Sequence, residues 1–111
     1  MEINVKPGEQ VTVVELIGDI DGSTAPVVQA QILPLAAPGA RIVLDMTQVP
    51  YMSSAGLRML LASYRQIGSK GGRIVLVGLS EEIQDTMSVT GFLNFFVHCE
   101  TLDEGLKAIE A

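Results

Sequence analysis

Ile42-Val43-Leu44-Asp45-Met46-Thr47-Gln48-Val49-Pro50-Tyr51-Met52-Ser53-Ser54-Ala55-Gly56-Leu57, continued by Arg58-Met59-Leu60-Leu61, reads as a buried strand, a short loop and the opening of an amphipathic helix. Asp45, Thr47 and Pro50 interrupt the apolar run. Ser53 and Ser54 then supply the hydroxyls that a helix start prefers, because a cap oxygen satisfies a backbone N–H that has no partner inside the helix. Leu57, Leu60, Leu61, Tyr64 and Ile67 recur at the spacing of one helical face. The two serines therefore stand where a strand passes into a helix N-terminus, a place whose free N–H groups and dipole favour an added negative charge.

Upstream, Ile3 and Val5 alternate before the turn signal Lys6-Pro7-Gly8-Glu9, and the β-branched run Val11 to Ile17 follows. Two strands around a Pro-Gly turn predict an N-terminal hairpin. The loop Gly18-Asp19-Ile20-Asp21-Gly22-Ser23-Thr24-Ala25-Pro26 precedes an apolar helix that Ser23 or Thr24 can cap, with Pro26 in its first turn. Pro34 predicts that this helix ends or kinks near Leu33. The unbroken apolar run of Arg41 to Met46 implies burial on both faces, as in the middle of a helix-covered sheet.

Downstream of the serines, Gly68 and Gly71-Gly72 are expected to stop the second helix. Arg73 to Leu79 is a fourth apolar strand. Ser80 starts a third helix carrying Ile83, Met87 and Val89, and Gly91 ends it. Phe95, Phe96 and Val97 form a short aromatic strand, and Thr101 caps a last helix with Leu102, Leu106 and Ile109 on one face. The order β-β-α-β-α-β-α-β-α, without repeats or linkers, predicts one α/β domain over residues 1–111. Its sheet is mixed, mostly parallel after the hairpin, with about four helices mainly on one side.

Composition narrows the function classes. A formal net charge of −6 lacks the basic stripe that nucleic-acid or anionic-membrane binding requires. No apolar run approaches the length of a bilayer span, and the N-terminus has no signal-like architecture. The single cysteine, Cys99, cannot close an internal disulfide and suits a reducing compartment. A cytoplasmic domain is the expectation. Hydrolysis by a serine nucleophile would need Gly-x-Ser-x-Gly, but Met52 stands where the first glycine belongs relative to Ser54, and His98 is the one histidine. His98 and Cys99 are neighbours that point to opposite faces of a strand, so no metal site is expected. No phosphate-cradling glycine fingerprint is present, so neither a cofactor nor an enzyme activity is predicted.

The stretch Asp45-Met-Thr-Gln-Val-Pro-Tyr-Met-Ser-Ser-Ala-Gly-Leu57 resembles the signature of the STAS family, in particular the bacterial anti-sigma-factor antagonists. In that signature an apolar strand leads through an aromatic and an aliphatic residue to Asp-Ser-Ser/Thr-Gly-Leu, and the phosphorylated serine lies two residues before the glycine. Here that position is Ser54, and Ser53 replaces the family's usual Asp. The resemblance covers essentially the whole chain. It implies a phosphorylation-controlled partner-switching regulator that binds an anti-sigma-factor-like serine kinase when unmodified and is released when Ser54 is phosphorylated. A metal-dependent serine phosphatase would reset the switch, and the resemblance favours a monomer. It also implies that Asp21, with Gly22, Ser23 and Thr24, forms a loop beside the phosphoserine site; capping and turning would equally account for this Asp. Ser53, Ala55, Gly56 and Arg58 complete the expected partner-binding surface, Arg58 being close enough to Ser54 to contact a phosphate or a partner. A second reading, a STAS module that binds a partner or small ligand without phosphorylation, follows from Ser53.

Overall fold

A computed structural model describes residues 1–110. Its elements are β1 (Glu2–Pro7), β2 (Thr12–Ile17), α1 (Ala25–Ile32), β3 (Arg41–Gln48), α2 (Ser54–Ser69), β4 (Arg73–Val77), α3 (Glu81–Val89), β5 (Val97–Cys99) and α4 (Leu102–Glu110). Short 3-10 turns occupy Leu33–Leu35 and Phe92–Phe95. The strands lie in chain order, β1-β2-β3-β4-β5. β1 and β2 form the antiparallel hairpin, and every later pairing is parallel.

The strand residues separate by alternation onto two faces. Val14, Leu16, Ile42, Leu44, Met46, Ile74 and Leu76 enter the larger core with residues of α1, α2 and α3. Val43, Val75 and Val77 pack on the opposite face with Leu102, Leu106 and Ile109 of α4. β3 is thus covered on both sides, which is why its sequence is almost continuously apolar. Three helices lie on one side and one on the other, in line with a sheet covered mainly from one face.

α1 ends at Ile32, and the 3-10 turn Leu33–Leu35 carries Pro34, as a ring that blocks the helical ladder requires. Four local expectations are corrected. Thr24 occupies the N-cap position of α1 without a side-chain cap bond, because its hydroxyl is engaged within the preceding loop. α2 runs past Gly68 to Ser69, since this glycine lacks the positive φ that ends helices, and Gly71 supplies it instead at +73°. Val89 is 88 % exposed at the last residue of α3 rather than on its buried face. Phe95 belongs to a 3-10 turn entered through Gly91 (φ +78°), and the strand begins only at Val97. Phe96 is buried there with its ring 5.2 Å from that of Tyr64 on α2.

Candidate switch surface

Parallel pairing of β2 and β3 brings their C-terminal ends side by side, so the loops after them must emerge together. The pairing continues past the strands through a bridge between Ile20 and Met52. Ile20 N–H donates to the Tyr51 carbonyl at 2.9 Å, and Ser53 N–H donates to the Ile20 carbonyl at 2.8 Å. Ile20 and Met52 are both buried, at 0 % and 7 % exposure. Their backbones and side chains hold the Asp21 loop against the start of α2.

Gly56 explains how closely these parts approach. A Cβ at this position would lie 2.5 Å from Met52 Cγ, 2.8 Å from Ile20 Cγ2 and 3.2 Å from the Ile20 carbonyl oxygen. Only a residue without a side chain lets the first turn of α2 rest on the bridge.

The two serines divide their roles. Ser53 is the N-cap, extended in backbone, and its Oγ accepts from Gly56 N–H at 3.4 Å, a long bond. Ser54 is the first residue of the helix, exposed, and its hydroxyl has no hydrogen-bond partner among the described residues. The first turn of α2 has no acidic residue, whereas α3 and α4 carry Glu81 and Glu82, and Asp103 and Glu104.

Asp21 organises its own loop. Ser23 N–H and Ser23 Oγ donate to its Oδ1 at 2.9 and 2.8 Å, and Thr24 N–H donates at 3.1 Å. Asp21 N–H in turn donates to Thr24 Oγ1, whose hydroxyl donates to the Asp19 carbonyl. The Ser23 hydroxyl, followed by the Thr24 and Ser23 backbone N–H groups, holds the Asp21 carboxyl below its ordinary range. Asp21 Oδ2 takes no hydrogen bond among the described residues. The structural role of Asp21 is therefore plain, and one oxygen is left over.

Gly22, Ala55 and Arg58 line a shallow groove of about 250 Å³ between α1 and α2, with Ala25, Pro26, Gln29, Met59 and Ala62. Arg58 is exposed and makes no ion pair among the described residues. The predicted residues thus fall into three adjoining pieces: the Asp21-Ser23-Thr24 loop, the Ser53-Gly56 cap with Ser54 beside it, and the Arg58 groove. No side-chain hydrogen bond links Asp21 to Ser54; backbone bonds through Ile20 join their loops. Ile20 and Met52 were missed as positioning residues. Ile20 alone shows a local signal, an apolar residue among Asp19, Asp21 and Gly22, whereas Met52 follows Val49, Pro50 and Tyr51 and does not stand out. The α1 side of the groove was missed too, since nothing local pairs Pro26 and Gln29 with Ala62.

Elsewhere, no group of His, Cys, Asp and Glu among the described residues could hold a metal ion. Cys99 is half-buried, and burial, then the Glu104 carboxylate, pushes its thiol pKa up, which makes it a poor nucleophile. No helix among the described residues is long and apolar enough to cross a membrane.

Comparison with known proteins adds four findings. The STAS domain family model matches residues 2–105. The anti-sigma-B factor antagonist of Bacillus subtilis is 32 % identical over 91 residues, covering 82 % of this chain and 84 % of that protein. An anti-sigma factor antagonist from Mycobacterium paratuberculosis superimposes with a TM-score of 0.85 at 28 % identity, over 99 % of this chain and 94 % of that one. The Bacillus cell fate determinant SpoIIAA in its phosphorylated form superimposes with a TM-score of 0.74 at 17 % identity, over 97 % and 99 % of the two chains. That last likeness concerns the fold alone.

Proposed function

The chain belongs to the STAS domain family, it is a non-enzymatic partner-switching regulator of the anti-sigma-factor-antagonist kind, and we propose that phosphorylation of Ser54 is its switch. The observation that carries this reading is the division of labour between the serines. Ser53 caps the helix, which leaves the exposed Ser54 hydroxyl without an internal partner at the helix N-terminus.

The unmodified surface docks on an anti-sigma-factor-like serine kinase. Three parts of the surface serve the contact: the Asp21 loop, the first turn of α2 and the Arg58 groove. Asp21 presents Oδ2 to a partner cation, while its Oδ1 keeps Gly22, Ser23 and Thr24 in shape. The kinase transfers the γ-phosphoryl group of ATP to Ser54 Oγ, the serine proton leaves to a base on the kinase, and ADP departs. The product carries roughly −1.5 to −2 added charges and three strong acceptors. That change, on a chain already at −6, alters what the surface can dock against and releases the partner. A metal-dependent serine phosphatase restores the hydroxyl. The regulator works in the cytoplasm and as a monomer.

The test compares the affinity of the purified kinase for unmodified protein and for protein carrying phosphoserine at 54. The reading expects a loss of at least about tenfold, near 1.4 kcal/mol. Equal affinities would refute it.

A further inference from the structure

We propose that Arg58 is the intramolecular receptor of the phosphoryl group on Ser54, so that the modified side chain pairs across one helical turn and closes the cationic mouth of the α1–α2 groove. The inference rests on Ser54 being the acceptor and concerns where the phosphate goes once it is there.

Ser54 and Arg58 are four residues apart on α2 and both are exposed, so their side chains rise from the same face one turn apart. The anion lies N-terminal to the cation, which is the better orientation for such a pair. The guanidinium is available, because Arg58 makes no ion pair among the described residues. The first turn of α2 contains no carboxylate that could compete for it. Its planar fork suits two phosphate oxygens at once, as an ammonium does not.

The consequence lies in the groove. Gly22, Ala25 and Ala55 are small, and Arg58 is the cation among the residues that line it. Before modification the groove therefore offers a partner close approach and one positive charge. After modification the same place holds Arg58 paired with a group of roughly −1.5 to −2 charges, a net of about −0.5 to −1. Release thus has two parts: added charge at Ser54 and withdrawal of Arg58 from the partner.

The experiment uses full-length protein with phosphoserine installed at 54 by an encoded-amino-acid route, followed by phosphorus NMR across pH 4–8. Free phosphoserine loses its second proton near pH 6. In the parent protein that pKa should lie roughly 0.2–0.4 unit below its value in Arg58→Gln, and the gap should shrink in high salt. Arg65→Gln, also an exposed arginine of α2 but eleven residues from Ser54, should titrate like the parent. A second readout needs no variant: the Arg58 Nε–H resonance should move between unmodified and phosphorylated protein. Coincident curves for parent and Arg58→Gln, or an unmoved Arg58 signal, would overturn the proposal. Because no kinase installs the phosphate, a kinase that ignores Ser54 would remove the function proposed above without altering this result.

Discussion

Gly56→Ala is the substitution whose outcome depends most directly on the joint between the two loops. The added methyl would meet Met52 Cγ at 2.5 Å and Ile20 Cγ2 at 2.8 Å, both far inside van der Waals contact. Met52 can yield, but Ile20 is fully buried and its carbonyl stands 3.2 Å away. Overpacking of this kind costs about 1–3 kcal/mol. The helix preference of alanine over glycine returns up to about 1 kcal/mol. The middle of the overpacking range less about 0.5–1 kcal/mol leaves a net loss of about 1–1.5 kcal/mol, which at this chain length lowers Tm by ~4–8 °C. Gly68→Ala provides the control on the same helix: nothing lies within 4 Å of a Cβ there, so the substitution should stabilise by about 0.5–1 kcal/mol. Urea unfolding followed by circular dichroism gives both numbers. Amide shifts should change at Ile20, Tyr51 and Ser53 in the first variant and stay near their parent values in the second. Gly56→Ala as stable as the parent, with those amides unmoved, would refute the close approach and the rigid joint derived from it.

Ser53→Ala removes a single long cap bond, so it should cost about 0.5–1 kcal/mol, at the low end of cap losses, in the same unfolding assay. The Asp21 loop should loosen in acid: its carboxyl pKa is lowered in the folded protein, so the order it provides is complete above the unfolded value of about 3.9 and is lost as pH falls through the lower folded value. Ser23 and Thr24 amide shifts followed from pH 6 to 2 should therefore show a midpoint below about 3.9, and a midpoint above that would contradict the hydrogen-bond pattern. Asp21→Ala removes the acceptor that holds Ser23 and Thr24, so it should shift their amide resonances and weaken kinase binding together, and disturbed Ser23 and Thr24 amides with unchanged binding would confine Asp21 to its structural role.

Much of the fold was legible because the apolar patterns have unambiguous periods. The continuous runs Ile42 to Leu44 and Ile74 to Val77 mark strands buried on both faces, and Leu57, Leu60, Leu61 and Ile67 mark one helical face. Ser53, Ser80 and Thr101 were readable as caps because each stands directly before a helix and receives an N–H three residues on. Thr24 was not, because local pattern cannot decide between a cap bond and the competing bonds to Asp21 N–H and the Asp19 carbonyl. The aromatic segment misled for a similar reason. Phe95 and Phe96 favour strands, but Gly91 sets a left-handed turn and burial of Phe96 against Tyr64 fixes the rest. At the proposed site, Ser54, Gly56 and Arg58 lie in one contiguous stretch, so local pattern could single them out. The Ile20–Met52 bridge and the α1 wall of the groove depend on parallel β2–β3 pairing across about thirty residues, which no local spacing encodes.

The measurement that tests the central claim most directly is site localisation by tandem mass spectrometry after incubation with the cognate kinase and ATP. It is run on the parent protein, Ser53→Ala and Ser54→Ala. The capped Ser53 and the unpartnered Ser54 lead to one expectation: phosphate on Ser54 in the parent and in Ser53→Ala, and none in Ser54→Ala. Phosphate on Ser53, or incorporation that survives Ser54→Ala, would contradict the account.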